Sequence, residues 1–243
     1  MERLFRIFRF NPETDSAPRY QEYRLDVQPG WRILDCINEI KWKLDGTLTF
    51  RRSCAHGVCG SDAMMINGKN RLACRTLVQD LKKRGVIRID PLKGFPVIRD
   101  LIVDMDGFFE RNEAVQPWFV NDDPPPEKER LQSPGERARI DESTKCILCG
   151  SCTSACPTSW FDPDYLGPAA LLKAHRFIFD SRDRAGEERI RILNDRTGPY
   201  KCHTIFNCVE TCPKEINVTG GIAELKKEIL RSFLKRSKPE KPD

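Results

Sequence analysis

No stretch of this 243-residue chain is apolar enough to suggest a membrane span. Such a span needs about 18 or more uncharged apolar residues. The longest candidates, such as Pro96–Phe109, are broken by Arg99, Asp100, Asp104 and Asp106. Long runs of one charge are missing too. Lys and Arg number 41 against 36 Asp and Glu, a net charge of +5, so the balance calls for no nucleic-acid partner. A secretion signal is also lacking. MERLFRIFRF has the spaced arginines of a transit peptide, but it runs straight into the acidic, turn-like NPETDS and has no apolar core of signal length. A first strand is expected there instead. At about 150 residues per domain, the chain has room for one or two domains.

What is present in excess is cysteine: eleven residues, ten of them in three tight groups. A disulfide framework suits small secreted domains and scattered cysteines, which this is not. Tight grouping points to metal or cluster ligation in a reducing compartment.

The groups sit in two kinds of sequence. The first hundred residues read as α+β with a small sheet. Tyr23, Leu25 and Val27 alternate with Arg24 and Asp26. Met64–Ile66, Asn67-Gly68 and a run to Leu72 and Ala73 predict a hairpin with the favoured Asn-Gly turn. Val86–Ile89 and Val97–Val103 are further strands, and Ile33, Ile37, Ile40 and Leu44 recur at helical spacing. The segment 121–136, with Pro124, Pro125, Pro126 and Ser133-Pro134-Gly135, reads as a connection. Beyond it the pattern is helical. Pro168 suits the first position of a helix through Phe179. Ile222, Leu225, Ile229 and Phe233 form one face of a last helix ending in Lys235, Arg236 and Lys238. That face either packs on its own domain or meets a membrane surface or partner.

The second cysteine group is Cys146-x2-Cys149-x2-Cys152-x3-Cys156-Pro157, the bacterial ferredoxin run. Steps of three wrap the chain around three corners of a cubane, and the fourth cysteine leaves to ligate the other cluster. Zinc is the weaker alternative, because it usually takes two separated pairs. The third group fits the same template as Cys202-x2-Ile205-x2-Cys208-x3-Cys212-Pro213, with Ile205 where the template has cysteine. Crossed ligation then gives Cys146, Cys149, Cys152 and Cys212 to a 4Fe–4S cluster. Cys156, Cys202 and Cys208 are left for a 3Fe–4S cluster, since an apolar branched side chain cannot bind iron.

The first group is Cys54-x4-Cys59-x2-Asp62 with Cys74 further on, a plant-type 2Fe–2S pattern with a carboxylate at the third position. Asp62 is an acceptable oxygen donor to ferric iron, and Ser61 is the neighbouring alternative. Gly57 and Gly60 let the loop turn tightly. Cys54-Ala-His56 resembles half of a Rieske site, but there is no second half, and the other histidines are only His175 and His203. The eleventh cysteine, Cys36, reads as a buried structural thiol beside Ile33, Ile37 and Ile40.

RRSCAHGVCGSDAM, NGKNRLAC, PVIRDLIVDM, KCILCGSC, CPTSW, GPAALLKAHRFIFDSRD and CHTIFNCVETCPK occur in this order. In them, essentially the whole chain resembles the iron–sulfur subunit of succinate dehydrogenase, respiratory complex II. The resemblance implies a plant-type ferredoxin-like, β-grasp domain over 1–104 and an all-α bacterial-ferredoxin-like domain over 105–243, connected near 121–136. It implies electron transfer from a partner FAD flavoprotein oxidising succinate, through 2Fe–2S, 4Fe–4S and 3Fe–4S clusters, to a quinone. Membrane anchor subunits would hold it peripherally on the cytoplasmic face of a bacterial inner membrane, or on the matrix face in a mitochondrion. Pro157, Trp160, His203 and Ile205 match family quinone-pocket positions. The family often has a second tryptophan after Trp160; here Phe161 has no N–H to donate. Core packing for Trp160, and a purely hydrogen-bonding role near the cluster for His203, are the plainer alternatives. Fumarate reductase subunits share the architecture, but Asp62, His203 and Ile205 lean to the succinate-oxidising branch. A multi-cluster adaptor of another oxidoreductase, without a quinone site, is the remaining reading.

Overall fold

The computed structural model of the protein describes residues 1–82 and 85–236. Strands β1 (Glu2–Arg9) and β2 (Arg19–Asp26) pair antiparallel from Glu2↔Asp26 to Arg9↔Arg19. Alternation puts Phe5 and Ile7 of β1 on one face, buried with Tyr23 and Leu25 of β2. With β3 (Ala63–Ile66), β4 (Lys69–Leu72) and β5 (Ile87–Asp90) they form a five-stranded sheet in the order β2-β1-β5-β3-β4. The β1–β5 pair is parallel and the others antiparallel. Helix α1 (Ile33–Glu39) belongs to the same core through Ile33 and Ile37, each contributing about 1.5–3 kcal/mol by burial.

Two expectations for this region change. The seam Ile33–Ile37–Ile40–Leu44 fails at its last member. Over Ile40–Leu44 the helix widens to a π-turn, which rotates the register and leaves Leu44 55% exposed. The strand expected over 97–103 is two short strands, β6 (Val97–Arg99) and β7 (Ile102–Val103). Between them Asp100 takes a left-handed conformation at φ 46 and is buried. Its carboxylate accepts from Arg9 Nε, Phe10 N and Thr49 N, which fixes the turn.

The remaining helices are α2 (Asp106–Glu113), α3 (Pro134–Thr144), α4 (Ser151–Ser154), α5 (Pro157–Phe161), α6 (Gly167–Ile178), α7 (Gly186–Leu193), α8 (Asn207–Glu210) and α9 (Val218–Arg236). Ser133-Pro134-Gly135, expected within the connection, instead starts α3. Ser133 Oγ accepts from Glu136 N at 3.3 Å, and Glu136 Oε2 accepts from Ser133 N at 2.8 Å.

The chain divides into two compact units. The first comprises Met1–Asp106, Ile147–Ala155 and Thr211–Pro213; the second comprises Gly107–Cys146, Cys156–Glu210 and the chain from Lys214. Within the second, Leu171 and Leu172 of α6 and Ile222, Leu225 and Ile229 of α9 are buried. Phe233 is not: α9 has 19 residues against 12 in α6, and at its end this side chain is 64% exposed. Lys238 and the side chains of Lys235 and Arg236 lie outside the described residues. Arg189 is fully buried on Asp183 and on the carbonyls of Gln116 and Trp118.

Candidate functional site

The loop from Cys54 is curled by left-handed residues: Ala55 at φ 59, Gly57 at 81 and Gly60 at 72. The curl turns backbone N–H groups toward sulfur. Val58 N and Cys59 N lie 3.4 and 3.3 Å from Cys54 Sγ. These donors, with the N–H of His56 foremost, bring the Cys54 thiol down to about 6, so it is held as thiolate near neutrality.

The β3–β4 hairpin brings in the other two donors. Asp62 stands just before β3 and Cys74 just after β4, so closing the ladder joins them: Ala73 N donates to Asp62 O, and Cys74 N to Asp62 Oδ2 at 2.5 Å. Asp62 is only 2% exposed, and its Oδ1 is buried with no protein partner. Burial, and then the adjacent carboxylate, push the Cys74 thiol up to about 12. Two acidic donors buried side by side, one oxygen unsatisfied, suit a cationic iron centre that would compensate both. Ser61 is less enclosed and its Oγ lies 3.2 Å from Cys59 Sγ.

The two ferredoxin-like runs share a backbone as well as a spacing. Leu148 (φ 52) and Gly150 (φ 78) flank Cys149; Thr204 (φ 59) and Phe206 (φ 69) flank Ile205 at the equivalent positions. Cys152 lies on α4 and Cys208 on α8, which are also equivalent four-residue helices. A left-handed conformation costs a non-glycine residue about 1–2 kcal/mol, so Thr204 and Phe206 are held there by their surroundings. Cys149, Cys152 and Cys212 fall in the first unit, whereas Cys156, Cys202 and Cys208 fall in the second. Cys212 thus parts from Cys202 and Cys208 of its own run, and Cys156 from Cys149 and Cys152, while Cys146 falls in the second unit. Ser151, between Cys149 and Cys152, has a fully buried hydroxyl with no protein partner, a free donor suited to cluster sulfur.

Cys156, Cys202 and Cys208 line one small cavity, open to solvent. Three thiols on a single pocket fit a cluster held at three corners. Pro157, His203 and Ile205 line it as well; Trp160 does not, standing on α5 at 39% exposure beside an 89% exposed Phe161. An ion pair from Lys201 to Asp162 ties the end of α5 to the residue before Cys202. Lys226, missed in the sequence, donates from Nζ to the Cys202 carbonyl at 2.8 Å. Its signal was there: Lys226 is one turn after Ile222 and one turn before Ile229, a cation on an apolar seam.

Two family models match, a 2Fe–2S iron–sulfur cluster binding domain over residues 4–110 and a 4Fe–4S dicluster domain over residues 138–213. Among curated proteins, the succinate dehydrogenase iron–sulfur subunit of Coxiella burnetii is 48% identical over 230 residues, covering 93% of this chain and 97% of that protein. The chain belongs to the succinate dehydrogenase iron–sulfur subunit family. The subunit of the same name from Paracoccus denitrificans is 45% identical over 226 residues, covering 92% of this chain and 86% of its own. A chain of the Mycobacterium smegmatis Sdh1 complex in the apo form superposes with a TM-score of 0.87 at 26% identity, covering 95% of this chain and 96% of that one. This iron–sulfur subunit is therefore an electron-transfer component of an oxidoreductase complex, and its α+β architecture is that of the family. Its eleventh cysteine, Cys36, is fully buried, its thiol pushed up to about 12 by burial, as a packing residue should be.

Proposed function

We propose that this subunit passes single electrons from an FAD flavoprotein partner, which oxidises succinate, to a membrane quinone. Cys54, Cys59, Asp62 and Cys74 hold a 2Fe–2S cluster. Cys146, Cys149, Cys152 and Cys212 hold a 4Fe–4S cluster, and Cys156, Cys202 and Cys208 a 3Fe–4S cluster. The domains that carry them are 1–104 and 105–243. When bound, the clusters supply one-electron carriers between two partners that each exchange two electrons.

The observation that carries this reading is the matched pair of left-handed residues around Cys149 and Ile205. Ile205 has the backbone setting of a ligand and no donor atom, so the site has three thiolates where the dicluster template has four. Unit membership supports crossed ligation for every thiol but Cys146, which falls in the second unit: Cys212 falls with Cys149 and Cys152, and Cys156 with Cys202 and Cys208. The unsatisfied Asp62 Oδ1 supports Asp62 over Ser61 as the oxygen ligand.

The residues tune as well as hold. Backbone N–H groups keep Cys54 anionic, and the Lys226 ammonium places positive charge beside Cys202, favouring the reduced state there. Pro157, His203 and Ile205 on the three-thiol cavity, with Trp160 on the adjoining helix, form the quinone site. Histidine there can deliver a proton as the quinone is reduced. No helix among the described residues is long and apolar enough to cross a membrane. As in the family it belongs to, anchor subunits are proposed to hold this chain peripherally, on the cytoplasmic face of a bacterial inner membrane or the matrix face of a mitochondrial one.

The test is iron analysis with EPR on the intact complex, using succinate and dithionite as reductants. About nine irons per chain and an oxidised three-iron signal are expected. Two 4Fe–4S signals without a three-iron signal refute the assignment. For the quinone site, Trp160→Leu should impair quinone reduction while flavin-linked dye reduction survives. Normal quinone turnover with intact clusters moves the site elsewhere.

A further inference from the structure

The β3–β4 hairpin has a second engagement besides its 2Fe–2S donors. Midway along β4, Asn70 faces Met65 across the ladder. Its side-chain Nδ2 donates to the carbonyl of Ser151 at 3.0 Å, and its own carbonyl accepts from Thr211 Oγ1 at 3.0 Å. Ser151 lies between Cys149 and Cys152, and Thr211 immediately precedes Cys212. One strand residue thus grips both segments that carry three of the four thiols assigned to the 4Fe–4S cluster.

The chemistry of the grip is specific. The Ser151 carbonyl already accepts from Ala155 N at 3.0 Å, so the added partner must be a donor using its other lone pair. Aspartate has the shape but no N–H, and leucine fills the volume without a polar atom. The same segment meets the 2Fe–2S loop directly: a Cβ on Gly60 would lie 2.7 Å from Cys149 Cβ and 3.0 Å from its Cα. The loop bearing Cys59 and the run bearing Cys149 are therefore in backbone-close contact, and the hairpin holds both.

We propose that Asn70 is a positioning residue that fixes the 4Fe–4S thiolates against the 2Fe–2S loop, and so sets the separation between the two clusters. This rests on the ligand assignment above. A side chain on a paired strand suits the task, because the hairpin that carries Asp62 and Cys74 at its base moves as one body with Asn70.

The test uses Asn70→Leu in the assembled complex, with two readouts. Hydrogen exchange reads the grip whatever cluster is bound; about tenfold faster exchange is expected in 147–155, which loses its side-chain donor, with 211–213, still held by the residue-70 carbonyl, and β1 and β5 unchanged. Power saturation of the reduced 2Fe–2S EPR signal reads cluster separation, because relaxation by a reduced neighbour falls steeply with distance. The signal should saturate at several-fold lower power while iron content stays at the wild-type level. A general loss of stability would not change that coupling at full iron content. Unchanged exchange in 147–155 overturns the proposal, as does faster exchange there with unaltered saturation. Should Asn70→Leu not assemble, Thr211→Val removes one arm alone. It should speed exchange in 211–213 and spare 147–155, and no change there is equally fatal. A wild-type complex without a 4Fe–4S signal would instead refute the ligand assignment, while the exchange readout still decides the grip.

Discussion

Three glycines at left-handed φ in the first unit offer a graded test of how tightly the 2Fe–2S loop is packed. Gly57, Gly60 and Gly68 have φ of 81, 72 and 77. Alanine at any of them bears the same conformational cost, about 1–2 kcal/mol. What differs is the space a methyl would enter. At Gly68 nothing lies within 4 Å. At Gly57 the new carbon meets Arg75 Cδ at 2.7 Å, the middle of an exposed, flexible side chain that can swing away. At Gly60 it meets Cys149 Cβ at 2.7 Å and Cys149 Cα at 3.0 Å, a backbone that cannot. Overpacking of that kind adds about 1–3 kcal/mol. Gly60→Ala should thus lose about 2–5 kcal/mol, and Gly68→Ala and Gly57→Ala only about 1–2 kcal/mol each. Anaerobic urea unfolding of the cluster-loaded chain, followed by circular dichroism and visible absorbance, ranks the three. Equal losses at Gly60 and Gly68 would refute the close approach of the loop to Cys149.

Three further outcomes are expected. Ile205→Cys supplies a thiol where the backbone is already shaped for one. The three-iron EPR signal should give way to a second four-iron signal, and an unchanged spectrum would mean that Ile205 is not at the vacant position. Arg189→Leu leaves the Asp183 carboxylate buried without its guanidinium partner and should cost about 3–5 kcal/mol in denaturant unfolding, whereas Arg191→Leu, at an exposed pair, should cost under about 1 kcal/mol. His175 is buried, which pushes its pKa below the usual value against the pull of Glu224 at 3.0 Å. The unfolded chain then binds the proton more readily, so His175 adds no pH dependence well above about pH 6.5 and costs stability as pH falls below it. His175→Gln should flatten that acid limb of the stability profile, and an identical limb in the variant would rule His175 out.

The sequence by itself determined the chemistry. Thiolate clusters impose fixed local spacing, so the run Cys146, Cys149 and Cys152, and its echo with Ile205 in place of a cysteine, were legible without a fold. Strand alternation and the Asn67-Gly68 turn likewise placed the hairpin, which pairs as expected. Local pattern failed where a tertiary partner overrode it. Asp100 breaks an apolar run because Arg9, ninety-one positions away, holds its carboxylate, and Leu44 leaves its seam at a π-turn. Only the tertiary structure decided what each cysteine group stands against. The orphan oxygen of Asp62, Lys226 on the Cys202 carbonyl, Gly60 against Cys149 and the double grip of Asn70 all join residues far apart in the chain. Spacing records which donors a cluster needs. The positions of those donors depend on long-range packing, for which a linear pattern carries no signal.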